Sequence, residues 1–253
     1  NLYTGGSFRG ETDFDPGTGT DIHTGIITAY ISKFNSNGDY QWVRVWGDDG
    51  HSGVSGIAFS SSGFICVGGG YEGTMDFDPG AGVDIHTPNG GYDLYVTLFD
   101  LDGNHLWTRA WGGDKSDSNC DVTIDNSDSI IASGYFQSTV DFDPGTGVDN
   151  HTSNGFYEAY IVKFDSNGFF VWAKSWGGDR DDKGYDVCTD NSDNILVSGI
   201  FGHMTMDSVD LDPGPGVDAH ISVGSSDVSV SKFDTNGDLI WARSFGSNWS
   251  DHG

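Results

Sequence analysis

Hydrophobic and polar positions in this chain come in short alternating runs broken by turn residues, with almost no stretch at helical spacing. Tyr160-Ile161-Val162-Lys163-Phe164 is a β-rich run, Asp165-Ser166-Asn167-Gly168 is a turn, and Phe169 to Trp176 is a second run, which predicts an antiparallel hairpin. Equivalent turns at Asn35 to Gly38, Asp100 to Gly103 and Asp234 to Gly237 predict three more. Beyond Trp176 a polar loop from Gly177 to Asp182 precedes a predicted strand over Tyr185 to Thr189, a turn at Asp190 to Asp193, and a strand from Ile195 into Phe201. The expected class is all-β, with four strands per repeat.

The repeat is also visible as a motif. Asp13-Phe14-Asp15-Pro16-Gly17 returns as Asp76-Phe77-Asp78-Pro79-Gly80, Asp141-Phe142-Asp143-Pro144-Gly145 and Asp210-Leu211-Asp212-Pro213-Gly214, each running on through GxGxDxH or a close variant. A tryptophan follows each copy, at Trp42, Trp107, Trp172 and Trp241. Self-similarity at about 65 residues marks an array of supersecondary units, with approximate repeats 2–66, 67–131, 132–196 and 197–253. Four-stranded antiparallel units repeated radially are the blades of a β-propeller, so the expectation is a four-bladed ring or an excerpt of a larger array.

Tyr160 to Gly178, followed by Gly184-Tyr185-Asp186-Val187 and Asp193-Asn194-Ile195-Leu196-Val197-Ser198-Gly199, resembles the bacterial SBBP-type β-propeller repeat over essentially the whole chain. The resemblance implies the propeller fold and no particular activity, because propellers host many unrelated ones. The chain departs from the short form of that repeat by roughly twenty inserted residues carrying DFDPGxGxDxH, expected between the last strand of one blade and the first of the next.

Asp13 and Asp15 are two apart on an extended segment, so both carboxylates project to one face, roughly 7 Å apart, and Pro16-Gly17 then turns the chain so that Asp21 comes back toward them. Three converging carboxylates repel unless a cation sits among them, and hard oxygen ligands with tight glycine turns suit Ca²⁺. Candidate ligands are therefore Asp13, Asp15 and Asp21; Asp76, Asp78 and Asp84; Asp141, Asp143 and Asp149; and Asp210, Asp212 and Asp218. The segment Pro16 to Asp21 is also partly similar to the calcium-binding nonapeptide of RTX β-helices. The alternative is that these aspartates cap turns through bonds to backbone amides, with no metal. His23, His86, His151 and His220 recur with the loop, but one histidine beside hard oxygens is not a zinc set, and a hydrogen-bonding role is expected.

Composition narrows the partners. Eleven basic against 38 acidic residues give a formal charge of −27, which repels phosphate backbones and anionic membranes, so nucleic acid is excluded as a partner. No apolar run approaches the ~18 residues of a membrane helix. Cys66, Cys120 and Cys188 occupy non-equivalent places, unlike a disulfide framework, and are expected as small buried hydrophobes. The paired aromatics Trp42/Trp46, Trp107/Trp111, Trp172/Trp176 and Trp241/Phe245 lie four apart on one strand face, which predicts packing between blades. No GxSxG, P-loop or HExxH occurs, and paired carboxylates repeated in every unit do not make one asymmetric acid and nucleophile. Asn150 and Asn248 stand in glycosylation sequons. The expected function is a non-catalytic, extracellular or cell-surface structural or adhesive repeat protein that binds divalent cations and pairs with other copies of itself or with surface glycans. The alternative is a carbohydrate-binding or carbohydrate-active propeller.

Overall fold

The computed structural model describes residues 1–47, 50–203 and 207–251, with the backbone alone at 119 and 120. The described residues form strands and turns without helix. The first sheet contains β1 (Leu2–Asp13), β2 (Ile22–Phe34) and β3 (Tyr40–Trp46). Next come β4 (His51–Phe59), β5 (Phe64–Glu72), the short β6 (Met75–Asp76) and β7 (Ile85–His86), β8 (Asp93–Asp100) and β9 (His105–Trp111). The third unit has β10 (Ser118–Ile124), β11 (Ile130–Phe136), β12 (Thr139–Asp141), β13 (Asn150–Thr152), β14 (Glu158–Phe164) and β15 (Phe170–Trp176). The fourth has β16 (Lys183–Thr189), β17 (Ile195–Phe201), β18 (Ser208–Asp210), β19 (Ala219–Ile221), β20 (Asp227–Phe233) and β21 (Leu239–Phe245).

Each complete unit is an antiparallel four-stranded sheet, in the orders β4-β5-β8-β9, β10-β11-β14-β15 and β16-β17-β20-β21. The first two sheets also share one parallel bridge, Ile27 to His51. The insertion does not lie between sheets, as the sequence suggested. It joins the second and third strands of one sheet as a two-stranded ribbon, β6-β7, β12-β13 or β18-β19. In the first sheet it is simply the far end of the long β1-β2 pair, where Asp13 faces Ile22. The sequence boundaries at 66/67, 131/132 and 196/197 consequently fall inside β5, β11 and β17. A repeat has a period but no intrinsic start, and the motif was a poor guide to where a sheet begins.

The sheets stack face to face. Leu94, Val96 and Leu98 of β8 join the cluster containing Tyr160, Val162 and Phe164 of the next sheet. Tyr95 and Phe99, pointing the other way, join Ala29, Ile31 and Trp46 of the sheet before. Ala159 and Ile161 in turn meet the fourth sheet's Val197 and Phe233. Strands buried on both faces lose polar alternation, and β8 is accordingly buried from Asp93 through Phe99.

One joint recurs at the outer edge. Trp46 packs on Tyr95 and Phe99, Trp111 on Tyr160 and Phe164, and Trp176 on Phe233, each in the following sheet. Beside them Arg44 donates through Nε to the Gly103 carbonyl at 2.9 Å and through Nη2 to Asp102 at 2.8 Å. Arg109 repeats this on Gly168 and Asn167, at 2.7 and 3.3 Å. Gly103 has φ of 77°, and a β-carbon there would lie 3.1 Å from the Trp42 ring, so both the turn and the close approach ask for glycine. Near the first strands, Asn126 donates to Asp193 through its amide at 3.0 Å and its side chain at 2.8 Å, and the Val187 amide donates to Asp121 at 2.8 Å. The aromatics of the first three sheets thus pack between sheets as their spacing implied, whereas Phe245 in the fourth is 60% exposed. Cys66 is buried on β5, but Cys188 on β16 is exposed, because alternate residues of this first strand face away from the stack. The side chain of Cys120 lies outside the described residues.

Candidate functional site: the acidic loops and the grooves between them

The DFDPG motif is a strand end with two faces. Period-two alternation puts both aspartates on one side and the apolar residue between them on the other, where Phe77, Phe142 and Leu211 are fully buried. Phe142 meets Phe136 and Tyr160 edge-on or tilted, so the ribbon is anchored in the core of its own sheet. The first aspartate then closes the loop. Asp141 Oδ1 accepts the Asp143 amide at 3.1 Å and the Asp149 amide at 2.8 Å, while Asp143 Oδ1 accepts the Gly145 amide at 2.8 Å. The same three bonds form around Asp13 and Asp15, around Asp76 and Asp78, and around Asp210 and Asp212. A β-carbon at Gly82, Gly147 or Gly216 would sit 2.0 Å from the second aspartate's Oδ2, which explains the second glycine of the motif.

The chain does turn back as the sequence implied, but it is the amide of Asp21, Asp84, Asp149 or Asp218 that reaches the first aspartate. The carboxylates of these four residues are bonded elsewhere. Asp21 accepts from His23 Nε2 at 3.1 Å and from the Tyr40 hydroxyl. Asp84 accepts from His86 at 3.1 Å and the Thr108 amide at 3.0 Å, and His105 lies 3.3 Å away. Burial works against the Asp84 charge, yet the bonds from His105 and His86 outweigh it and hold this carboxyl well below the usual range. Asp149 and Asp218 sit 3.5 and 3.4 Å from His151 and His220. Among the described residues, no group of three or more histidine, cysteine, aspartate or glutamate side chains is arranged to hold a metal ion.

Successive ribbons stand apart and leave open grooves. One of about 550 Å³ is lined by Asp21, His23 and Arg44 on one side and Asp78, Pro79 and His105 on the other. The next, of about 360 Å³, runs between His86 and Arg109 and the Asp143-Pro144 turn. In the third and fourth sheets the histidine also bonds a serine, His151 Nδ1 to Ser175 Oγ at 2.9 Å and His220 Nδ1 to Ser244 Oγ at 2.7 Å. Val45 and Ala110 face the corresponding strand positions Tyr30 and Tyr95 in the first two sheets, so these Ser-His-Asp rows are not a repeat-wide device. The Ser175 hydroxyl also bonds the buried carboxylate of Glu158.

Sequence reasoning passed over a second carboxylate set, at the sheet boundaries. Asp117 accepts the Gly113 amide at 2.9 Å and the Gln137 amide at 3.0 Å, and Asp182 accepts those of Gly178 and Gly202 at 2.7 and 3.3 Å. Asp93, Glu158 and Asp227 cap the segments before β8, β14 and β20 in the same way. All five are at most 3% exposed. They are enclosed by loop amides and neighbouring glycines that the fold brings to them, and the polar loop Gly177 to Asp182 carried no local sign of it. Asn150 and Asn248 are exposed.

If the loop is closed by its own bonds, Asp141→Ala leaves two amides without their acceptor and destabilises the fold by roughly 1–3 kcal/mol in chemical denaturation, whereas Asp141→Asn keeps Oδ1 as an acceptor and stays close to wild type. Equal losses in both variants would show that the charge, and not the bonds, closes the loop.

No family model matches the chain. Two curated proteins are similar to part of it. One is the regulatory protein FlaEY of Caulobacter vibrioides, 30% identical over 109 residues, covering 42% of this chain and 11% of that protein. The other is the uncharacterized WD repeat-containing protein L264 of Acanthamoeba polyphaga mimivirus, 29% identical over 110 residues, covering 38% of this chain and 8% of that protein. The matched stretches amount to about a tenth of the length of these relatives.

Proposed function

We propose that the chain is a non-catalytic scaffold of β-propeller type, its sheets acting as blades and its ribbons projecting as rigid acidic loops from a secreted or cell-surface array. The observation that carries this reading is the sheet-to-sheet joint, in which tryptophan, a cationic side chain and the next turn meet in the same way at successive boundaries. The likenesses to the SBBP-type repeat and to a WD repeat-containing protein agree with a propeller. In this reading the motif aspartates serve their own loops, and calcium is not needed to hold them. On the same reading, the Ser175-His151-Asp149 and Ser244-His220-Asp218 rows tie each ribbon to the last strand of its sheet, a role for which the first two sheets use no serine.

Stability of stacked repeats adds up unit by unit, each sheet contributing its own fold plus one interface. Chains ending after Trp111, after Trp176 and at Gly253 should therefore show a denaturation midpoint that climbs with each sheet. Complete unfolding of the chain ending at Trp176 would contradict an array of this kind. The carbohydrate reading is less favoured, because Trp42 and Trp107 stack under arginine against the next turn and do not line an open platform. Binding to a glycan array that survives Trp107→Ala would place sugar recognition elsewhere on the molecule and revive that reading.

A further inference from the structure

We infer that the boundary between the third and fourth sheets carries a binding site for a neutral saccharide, formed by Phe156, Tyr157, Tyr135 and Tyr185 around Lys183. In a repeat, side chains that serve the fold recur from unit to unit, and departures that meet in space belong to what one unit does alone. Register with the third strands puts Tyr135 of β11 where β5 and β17 have Gly70 and Ile200. Lys183 of β16 stands where β4 and β10 have Gly53 and Ser118, and Tyr185 fills a bulge that in β4 holds Ser55. Phe156, eight residues before Phe164, corresponds to Gly91 and Ser225, eight before Phe99 and Phe233. These departures meet. Tyr157 lies between Phe156 and Tyr135, at ring-centroid distances of 4.7 and 5.0 Å and interplanar angles of 81° and 78°, and Tyr135 meets Tyr185 edge-on at 6.2 Å. Lys183 Nζ stands 4.4 Å from the centre of the Tyr157 ring, 5.1 Å from that of Tyr135 and 3.6 Å from Asp181.

The backbone beneath is fixed by a parallel bridge between Tyr157 and Asp181 and by the Asp182 amide, which donates to the Tyr157 carbonyl at 3.0 Å. Phe156 is nonetheless 61% exposed, although a complete four-stranded sheet stands on either side of it, so its exposure is set within the chain and not by the ends. The chemistry of this corner selects the occupant. Lys183 already takes the cation's place over two electron-rich rings and repels a second cation. The formal charge of −27 repels anions. One ring of ~200 Å² at 61% exposure and three part-buried ones offer no more than about 300 Å², well short of the roughly 800 Å² per partner in a stable protein interface. What fits is a small neutral ligand with an apolar face and polar edges. A pyranose lays its C–H face on the Phe156 ring, and the tyrosine hydroxyls with the Lys183–Asp181 pair supply donors and acceptors for its own hydroxyls. The rings of the outer joint take no part, and the inference does not rest on the scaffold reading.

Probing a glycan array of neutral, sialylated and sulfated oligosaccharides with the full chain, then titrating the strongest binder in solution, tests the inference. Neutral glycans should bind, with an affinity that salt leaves unchanged because no net ligand charge is screened. Phe156→Ala should weaken binding at least tenfold at an unchanged melting midpoint, while Phe156→Tyr keeps the ring and the affinity. Phe169→Ala, at a phenylalanine of the same sheet that is 65% exposed, and Trp107→Ala, at the outer joint, should both leave the affinity at the wild-type value. Absence of binding to every neutral glycan at millimolar concentration overturns the proposal and leaves the corner to another class of partner. Binding that survives Phe156→Ala, or that is confined to the acidic glycans, overturns it equally.

Discussion

Replacing Trp111 by alanine is expected to cost about 3–5 kcal/mol of folding stability, and with it about ten degrees or more of melting temperature. Trp111 is an almost fully enclosed link between the second and third sheets, 2% exposed, its ring centroid 5.4 Å from that of Phe164 and 6.4 Å from that of Tyr160. Truncation removes that contact area and leaves a cavity that two sheets, each held by its own hydrogen-bonded ladder, cannot easily collapse. The matched control is Phe245→Ala, at the same strand position in the fourth sheet but largely exposed. Its effect on the fold should stay within about 0.5 kcal/mol, as for ordinary surface changes. Thermal melts at low protein concentration compare the two. Equal losses would mean that the tryptophans stabilise their own sheets and not the joint.

The second large effect is on pH. Burial pushes the Asp117 carboxyl up to about 7, against the Gly113 and Gln137 amides that favour its charge, and the neighbouring Asp93 and Asp114 push the same way as burial. Asp182 is likewise raised to about 7, by burial first and then by Asp207 and Glu158, with the Gly178 and Gly202 amides opposing. A folded-state pKa above the ordinary value of 3.8 means that the native protein holds these protons more tightly than the unfolded chain. The resulting stability is complete below about pH 4 and is lost as pH climbs through about 7, at roughly 1.4 kcal/mol per pH unit for each group. Asp84 acts in the opposite sense: with its pKa lowered, its contribution is present above the ordinary carboxyl value and fades in stronger acid. Melting temperature should therefore peak at about pH 4–5 and drop by several degrees or more toward about pH 8. A profile that is flat or ascending over that span would show that Asp117 and Asp182 are ionised in the fold at no cost.

What the sequence disclosed follows from which forces are local. The hairpins were legible because each turn carries its own device, an Asn or Asp capping two amides and a glycine at positive φ, as at Asp165 and Gly168. The tryptophans between sheets were legible from their spacing and recurrence. The ribbons were not, because β6 and β7 are only two residues long and their register depends on Phe77 being buried by the rest of the sheet. His105 and Tyr40, which complete the surroundings of Asp84 and Asp21, come from the following hairpin and bear no fixed spacing signature within the motif. The aspartate loops show the limit most clearly. In the fold the first aspartate of each motif accepts two backbone amides and the second accepts one. Counting carboxylates does not reveal which donors reach them.

The central claim, that the acidic loops are closed by their own carboxylate-to-amide bonds, is tested most directly by hydrogen exchange of the Asp21, Asp84, Asp149 and Asp218 amides, read once in excess calcium and once in excess chelator. The account predicts the same protection of these four amides in both conditions. Protection that appears only with calcium would contradict it and make the loops cation sites.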